Sequence, residues 1–234
     1  MEMRCIHINK FWCKVGQWIE APDSYKLTNG FYIYKYFKNL GWADKPICAM
    51  IGNMENECGM NPGQEERASW SSGRGLVQWT PGTKLKNYTD SINKNWWDWQ
   101  AQCSRIQYEM THKLQWYATP YYRGSFKQFA HDKKSDIIYL TRAFTACYER
   151  PNMNKVDMQR RYNFAKKMFD YIKHHAPDDI DVDDFDYEDT DTTGGDDAPD
   201  RTDPYYINMT GTKGQKKFNY ILYGGKKDGY NNSN

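Results

Sequence analysis

The stretch Ala43–Pro81, ADKPICAMIGNMENECGMNPGQEERASWSSGRGLVQWTP, decides how the rest of the chain is read. Its first part predicts a helix: Asp44 can cap it, Pro46 suits its first turn, and Gly59 with Pro62 stops it. Ile47, Met50, Ile51, Met54 and Cys58 recur at helical spacing and form one apolar stripe. At about 100° per residue, Glu57 falls about 20° from Met50, on one edge of the stripe. Glu55 falls on the other edge and Asn56 points to water. Two carboxylates thus flank a buried face at the end of the helix where the macrodipole disfavours an anion. Partial burial disfavours the ionised form as well. A carboxyl kept neutral in this way is suited to protonating the leaving oxygen of a glycosidic bond.

The residues after the helix fit that chemistry. Asn61-Pro62-Gly63 is a turn, and Glu65–Trp79, broken by Ser71-Ser72-Gly73 and Gly75, suits a small hairpin. Three motifs stand together here: Gly52-Asn53-Met54; Glu57 with Met60-Asn61-Pro62-Gly63; and Gly75-Leu76-Val77-Gln78-Trp79-Thr80-Pro81. With Phe144 and Tyr148-Glu149-Arg150-Pro151 further on, the chain resembles the phage tail lysozyme family of the lysozyme-like superfamily, over roughly Leu27–Tyr171. That family usually has a small hydroxyl residue after the catalytic Glu, where this chain has Cys58. The resemblance implies an α+β fold: a predominantly helical domain with a small hairpin beside the catalytic helix.

It also ranks the two helix-edge carboxylates, which periodicity alone does not. Glu57 is the expected general acid, and Glu55 is expected to be structural. Glu65 and Glu66, on the hairpin limb, are the candidates for a second catalytic carboxylate; a solvated hairpin is the alternative reading. Gly75 and Gln78 resemble the Gly-Leu-Met-Gln element that lines the cleft in transglycosylases and goose-type lysozymes. They are expected to meet substrate, together with Trp79, Tyr148 and Glu149. Glycine permits close approach of a sugar to backbone, and the Gln amide both donates and accepts. Trp96, Trp97 and Trp99 could stack sugars, but their helical spacing favours core packing for at least two of them.

The net charge of +2 hides a sharp asymmetry. Met1–Pro177 has 26 Lys+Arg against 16 Asp+Glu, a net of +10. Asp178–Asp203 carries 13 acids and only Arg201, a net of −12, and Pro204–Asn234 has five Lys and Asp228. A basic domain is attracted to polyanions such as nucleic acid and anionic cell walls. The acidic block, with Gly194-Gly195 and Pro199, reads as a linker. The expected organisation is an arm over 1–23, a muralytic domain over 24–177, a linker over 178–203 and a basic, Tyr-rich tail over 204–234. Met1–Glu20 lacks the apolar core of a signal peptide, and no stretch approaches membrane-spanning length.

In chain order, helices are expected over Leu27–Gly41, Lys84–His112 (two, meeting near Cys103), Ser125–His131, Ser135–Tyr148 and Met153–His175. A short strand is expected at Phe218–Tyr223. Cys5, Cys13, Cys48, Cys58, Cys103 and Cys147 show no short paired spacing, and most of them read as buried thiols. There is no CxxC or HExxH, and the loose calcium-loop spacing from Asp189 to Asp200 lacks the final Glu and flanking helices, so no metal or cofactor is expected.

The chain is therefore read as a virion-borne lysozyme-type glycoside hydrolase, made in the host cytoplasm and carried at the tail tip. It would cleave the β-1,4 bond between amino sugars of peptidoglycan and would partner with other tail proteins. A lytic transglycosylase using the same Glu57, or a wall-binding module without catalysis, are the alternatives. A cysteine peptidase or amidase using Cys48 or Cys58 with His112 or His131 is a weaker one. A nucleic-acid binder lacks a basic-aromatic recognition motif.

Overall fold

A computed structural model describes residues 11–175. The elements run β1 (Gly16–Gln17), α1 (Asp23–Asn39), α2 (Asp44–Cys58), β2 (Gln64–Glu65), α3 (Thr83–Ser91), α4 (Trp99–Thr111), α5 (Phe126–Ala130), α6 (Ile137–Phe144), a π-helical turn (Thr145–Glu149) and α7 (Met158–His174). The linker, the tail and the expected strand at Phe218–Tyr223 lie outside the described residues. No described helix is long and apolar enough to cross a membrane.

The fold is built round α2. Its bounds match the expected helix, and it stops at Gly59 in the left-handed conformation, whose N–H bonds the Glu55 carbonyl at 2.8 Å. The expected cap Asp44 lies instead inside the first turn, held by Tyr34 Oη at 2.9 Å and Lys38 Nζ at 2.5 Å. Burial goes well beyond one stripe: α1, α6 and α7 pack round α2, leaving Asn56 and Glu57 as its residues with partial exposure near the C-terminal end. Gly52 sets the crossing with α7. A Cβ there would lie 2.5 Å from the Arg161 carbonyl and 2.8 Å from Ala165 Cβ, so only glycine lets the two backbones come this close. The rest of the core is strongly aromatic. Trp116 stacks on Phe126 at 4.8 Å, Phe144 stacks on Tyr148 at 4.6 Å, and Trp96 and Trp99 are buried, as expected from their spacing.

Three expectations shift. α1 starts four residues early because Pro22-Asp23 opens it, with Asp23 favourable in the first turn. The long Lys84–His112 segment breaks earlier than Cys103: α3 ends at Ser91, Asn93 takes φ 53°, and Asp98 caps α4 through Gln100 N and Ala101 N. The segment read as an arm is, from Phe11 onward, fastened to the domain. Asn29 bonds both the N–H and the carbonyl of Trp12 at 2.8 Å, and Asn61 bonds the carbonyls of Lys14 and Ile19. Phe11 stacks on Trp99 at 4.7 Å. Strand β1 then pairs in parallel with β2, Gly16 opposite Gln64 and Gln17 opposite Glu65. Two buried amides thus supply an attachment that periodicity could not predict.

The hairpin exists in reduced form. Glu65 bridges Arg74 in antiparallel register, supported by Glu66 N to the Gly73 carbonyl at 3.0 Å and Gly75 N to the Gln64 carbonyl at 3.0 Å. The return Gly75–Trp79 is a set of tight turns rather than a strand, with Gly75 at φ 78° and Gln78 at φ 46°.

Candidate active site

Glu57 emerges at the last turn of α2 with its side chain 23% exposed. The expectation surrounded its carboxyl with apolar neighbours; the structure pairs it with Arg161 of α7. The Gly52–Ala165 crossing makes the pair possible by bringing the first turns of α7 over the end of α2. The buried guanidinium uses every donor. Nε donates to Asn53 Oδ1 at 3.1 Å and Nη1 to the Asp157 carbonyl at 2.9 Å, while Nη2 donates to Glu57. With its amide oriented oxygen-inward, Asn56 accepts from both Nη atoms at 2.9 Å, so it faces Arg161 as well as water. Asn53, wholly buried, is the matching hub. It donates to the carbonyls of Ala49 and Thr141, and Thr145 Oγ1 donates to its Oδ1 at 2.7 Å.

That last contact ties Glu57's surroundings to the π turn. Arg150 N bonds the Thr145 carbonyl at 2.8 Å, and the turn ends with Arg150 left-handed at φ 56°. Tyr117 N and Gln115 Nε2 satisfy the carbonyls of Cys147 and Tyr148. A π turn adds a residue to the helical repeat and re-aims the side chains beyond it, as such turns often do at functional sites. Here it delivers Glu149 to the neighbourhood of Glu57 and Arg161, whose charges both act on it. Part of Glu149 stays open to solvent, yet its Oε1 is shut from water and has no hydrogen-bond partner. Burial first, and then the Glu57 charge, hold its carboxyl well above the ordinary carboxylate range.

The other expected site residues divide. Gln64 Nε2 donates to the Glu57 carbonyl at 3.2 Å, and Gln78 Nε2 donates to the carbonyls of Gly75 and Gln64, so half-buried Gln78 belongs to this neighbourhood. Gly75 does not face open space. A Cβ there would meet the Gln102 amide at 2.7 Å, so its glycine serves packing and its φ. Trp79 and Tyr148 are also interior rather than surface groups. Trp79 Nε1 and the Tyr148 hydroxyl both donate to buried Glu109, which Arg105 neutralises at 2.9 Å. Glu65 is ion-paired with buried Arg74 at 2.6 Å, and Glu66 accepts from Gly73 N at 3.1 Å, so both brace the hairpin. Glu55, as expected, is structural: buried, it binds Arg160 at 2.8 Å and Lys26 at 3.1 Å, with Glu20 completing the cluster. Cys48 and Cys58 are fully buried with thiols pushed well above their usual range by burial, which opposes the thiolate a nucleophile needs. Two shallow hollows, one beside Arg160 and Phe164 and one beside Tyr88 and Arg105, are not lined by Glu57.

A small mostly helical domain with a hairpin fragment beside a Glu-bearing central helix is a lysozyme-like arrangement. The chain belongs to the phage tail lysozyme family, whose model matches residues 28–172. It is also similar to morphogenesis protein 1 of Bacillus phage B103, 37% identical over 127 residues that make up 53% of this chain and 34% of that protein. The chain thus spans about a third of that relative's length. The strand β1 and its anchoring segment fall outside the family match.

Proposed function

We propose that this protein is a peptidoglycan-cleaving glycosidase carried in a phage virion, with Glu57 as the carboxyl that protonates the glycosidic oxygen of the β-1,4 bond between amino sugars. The observation that carries the reading is the position of Glu57: the last turn of the central helix of a family-matched domain, partly exposed, its rotamer fixed by a buried arginine. Protonation lets the C1–O bond break with its electron pair on the departing oxygen, and water then adds at C1. Half-buried Gln78, whose Nε2 donors are spent on the Gly75 and Gln64 carbonyls, keeps its amide oxygen to accept from the N–H of a substrate N-acetyl group. The engagement of Glu65 and Glu66 in the hairpin argues against either as the second carboxylate. Delivery in the tail, among other tail proteins, accords with the family and with the phage relative.

The test is Glu57→Gln, which keeps shape but delivers no proton. It is expected to fold, to bind wall fragments, and to lose wall clearing by about 10²–10⁴-fold. Glu55→Gln is expected to lower stability through its ion cluster while the folded fraction keeps its activity. Near-normal clearing by Glu57→Gln would sink the assignment, and an inert wild type would leave only wall binding. Among released muropeptides, hydrolysis predicts reducing ends; mainly 1,6-anhydro ends would make the enzyme a transglycosylase.

A further inference from the structure

Strand β1 and its flanks lie outside the family match, and they lay a further strand against the hairpin beside Glu57. Along residues 63–65 the carbonyls alternate in direction. Gly63 O accepts from Gly16 N at 3.1 Å and Glu65 O from Trp18 N at 3.2 Å. Gln64 O, between them, accepts from Gly75 N at 3.0 Å and Gln78 Nε2 at 3.4 Å. Gln64 also reaches the Glu57 carbonyl through its own Nε2 at 3.2 Å. Trp18 and Gln78 are therefore held on opposite edges of one strand, and a side chain of that strand ties it to the end of α2.

Trp18 is the outlier of this patch. It is 67% exposed, and its backbone is left-handed at φ 52°, a region that disfavours any residue with a Cβ. Bonds along the segment hold it there: Trp18 N to Glu65, Asn61 Nδ2 to the Ile19 carbonyl at 2.7 Å, and Ala21 N to the Gly59 carbonyl at 2.9 Å. Half-buried Ile19 folds back over Gly16, where a Cβ would lie 2.5 Å from its Cδ1, so Ile19 packs this bend and Trp18 does not. A bend that had only to close would be better served by glycine at position 18. Two other tryptophans of the hairpin offer no such open face: Arg74 lies over Trp70 at 4.1 Å, and Trp79 is buried. An indole held out on a fixed, strained support presents a flat apolar face with a negative quadrupole, which suits the C–H face of a pyranose ring. Exposed Gln17 beside it offers a donor and an acceptor to the sugar hydroxyls.

We propose that Trp18 is a saccharide platform: its indole stacks on a sugar of the same β-1,4-linked glycan strand that meets Gln78, so that the segment outside the family match forms one wall of the substrate site. This deepens the glycosidase reading and rests on it for the choice of glycan. The hydrogen-bonded continuity with Gln78 and with the Glu57 turn favours a glycan over a neighbouring protein as the occupant. A contact away from the breaking bond is made equally in the ground and transition states, so it acts on affinity rather than on the chemical step.

The test uses the full chain with Glu57→Gln added to keep the ligand whole, and a hexamer of β-1,4-linked N-acetylglucosamine as the probe. By calorimetry Trp18→Ala is expected to bind the hexamer about 5–30-fold more weakly, the loss typical of truncating an aromatic anchor, and Trp18→Tyr to keep most of the affinity. Trp18→Gly relieves the backbone. It should melt at or above the parent temperature and still bind as weakly as Trp18→Ala, which a merely structural role would not produce. In isotope-labelled protein one indole N–H resonance, identified by its loss in Trp18→Phe, should move when the hexamer is added. With Glu57 intact, Trp18→Ala should raise KM for wall fragments far more than it lowers kcat. Unchanged hexamer affinity in Trp18→Ala, or an indole resonance indifferent to the hexamer, would overturn the platform and leave the glycosidase reading in place. Unchanged affinity together with loss of the variant from assembled virions would overturn it in favour of a protein-docking face. A wild type that binds the hexamer through Trp18 but never cleaves walls would instead remove the glycosidase reading and keep the platform.

Discussion

Replacing Arg161 by methionine tests the arrangement at its centre. Methionine keeps much of the stem and removes all the donors. The Arg161 side chain is 4% exposed and its partner Glu57 is 23% exposed. The change leaves Glu57 without a counter-charge and the Asp157 carbonyl without this donor, while Asn53 Oδ1 keeps Thr145. Removing one member of a buried pair typically destabilises by about 3–5 kcal/mol. The residual exposure of Glu57 puts this case near the lower end, about 3 kcal/mol. For a domain of this size each kcal/mol moves Tm by about 2–4 °C, so a fall of about 6–12 °C is expected. Thermal melts and urea titrations with an unchanged m-value would measure it. In the Arg161→Met, Glu57→Gln double variant both charges are gone. Its loss should be smaller than the sum of the single losses by about 1–3 kcal/mol. A single variant within about 1 kcal/mol of wild type, or a strictly additive double, would refute the view that Arg161 holds the end of α2 through Glu57.

Two further outcomes are expected from the same geometry. Gly52→Ala should destabilise by about 1–3 kcal/mol or more and reduce activity in the folded protein, since its Cβ meets backbone of α7; Gly30→Ala, which meets the flexible end of Met168 at 2.8 Å, should be milder, and equal effects would contradict the crossing argument. The Glu149 carboxyl is raised in the folded state, so the stability it contributes is present below its unfolded value of about 4.3 and is lost as pH rises through the folded value. Gln escapes that loss, and the Tm of Glu149→Gln should therefore match wild type at low pH and exceed it increasingly toward neutral and mildly alkaline pH; a constant difference would exclude the linkage.

The features legible in the sequence were local ones. The bounds of α2, its stop at Gly59 and the core role of Trp96 and Trp99 follow from spacing, breakers and composition within a turn or two, whereas ranking Glu55 as structural takes the family motif. The partner of Glu57 was not legible, because Arg161 lies 104 residues away and nothing in the helical pattern of α7 marks it as a ligand. The signal available was Gly52 itself, a glycine inside a good helix, which asks for a close backbone approach. The family motif assigns Trp79 and Tyr148 to substrate contact, and they are interior because Glu109, unremarkable in sequence, satisfies both polar tips. The fastening of residues 11–22 depends on two asparagines whose role emerges only once α1 and the Asn61 turn are side by side.

The Gly52–Ala165 crossing also has a bearing on timing. Glu57 belongs to the first half of the described chain, while the arginine that fixes it and the π turn tied to that arginine's partner Asn53 come from Thr145 onward, with α7 the last described helix to be synthesised. Contacts so distant along the chain close late, after local helices have formed. A chain that is still emerging, or one unravelled to pass a narrow opening, therefore carries Glu57 without its clamp. Any activity that depends on Glu57, as proposed above, would return only when the final helix seats, making its recovery a clock for the slowest long-range step of folding.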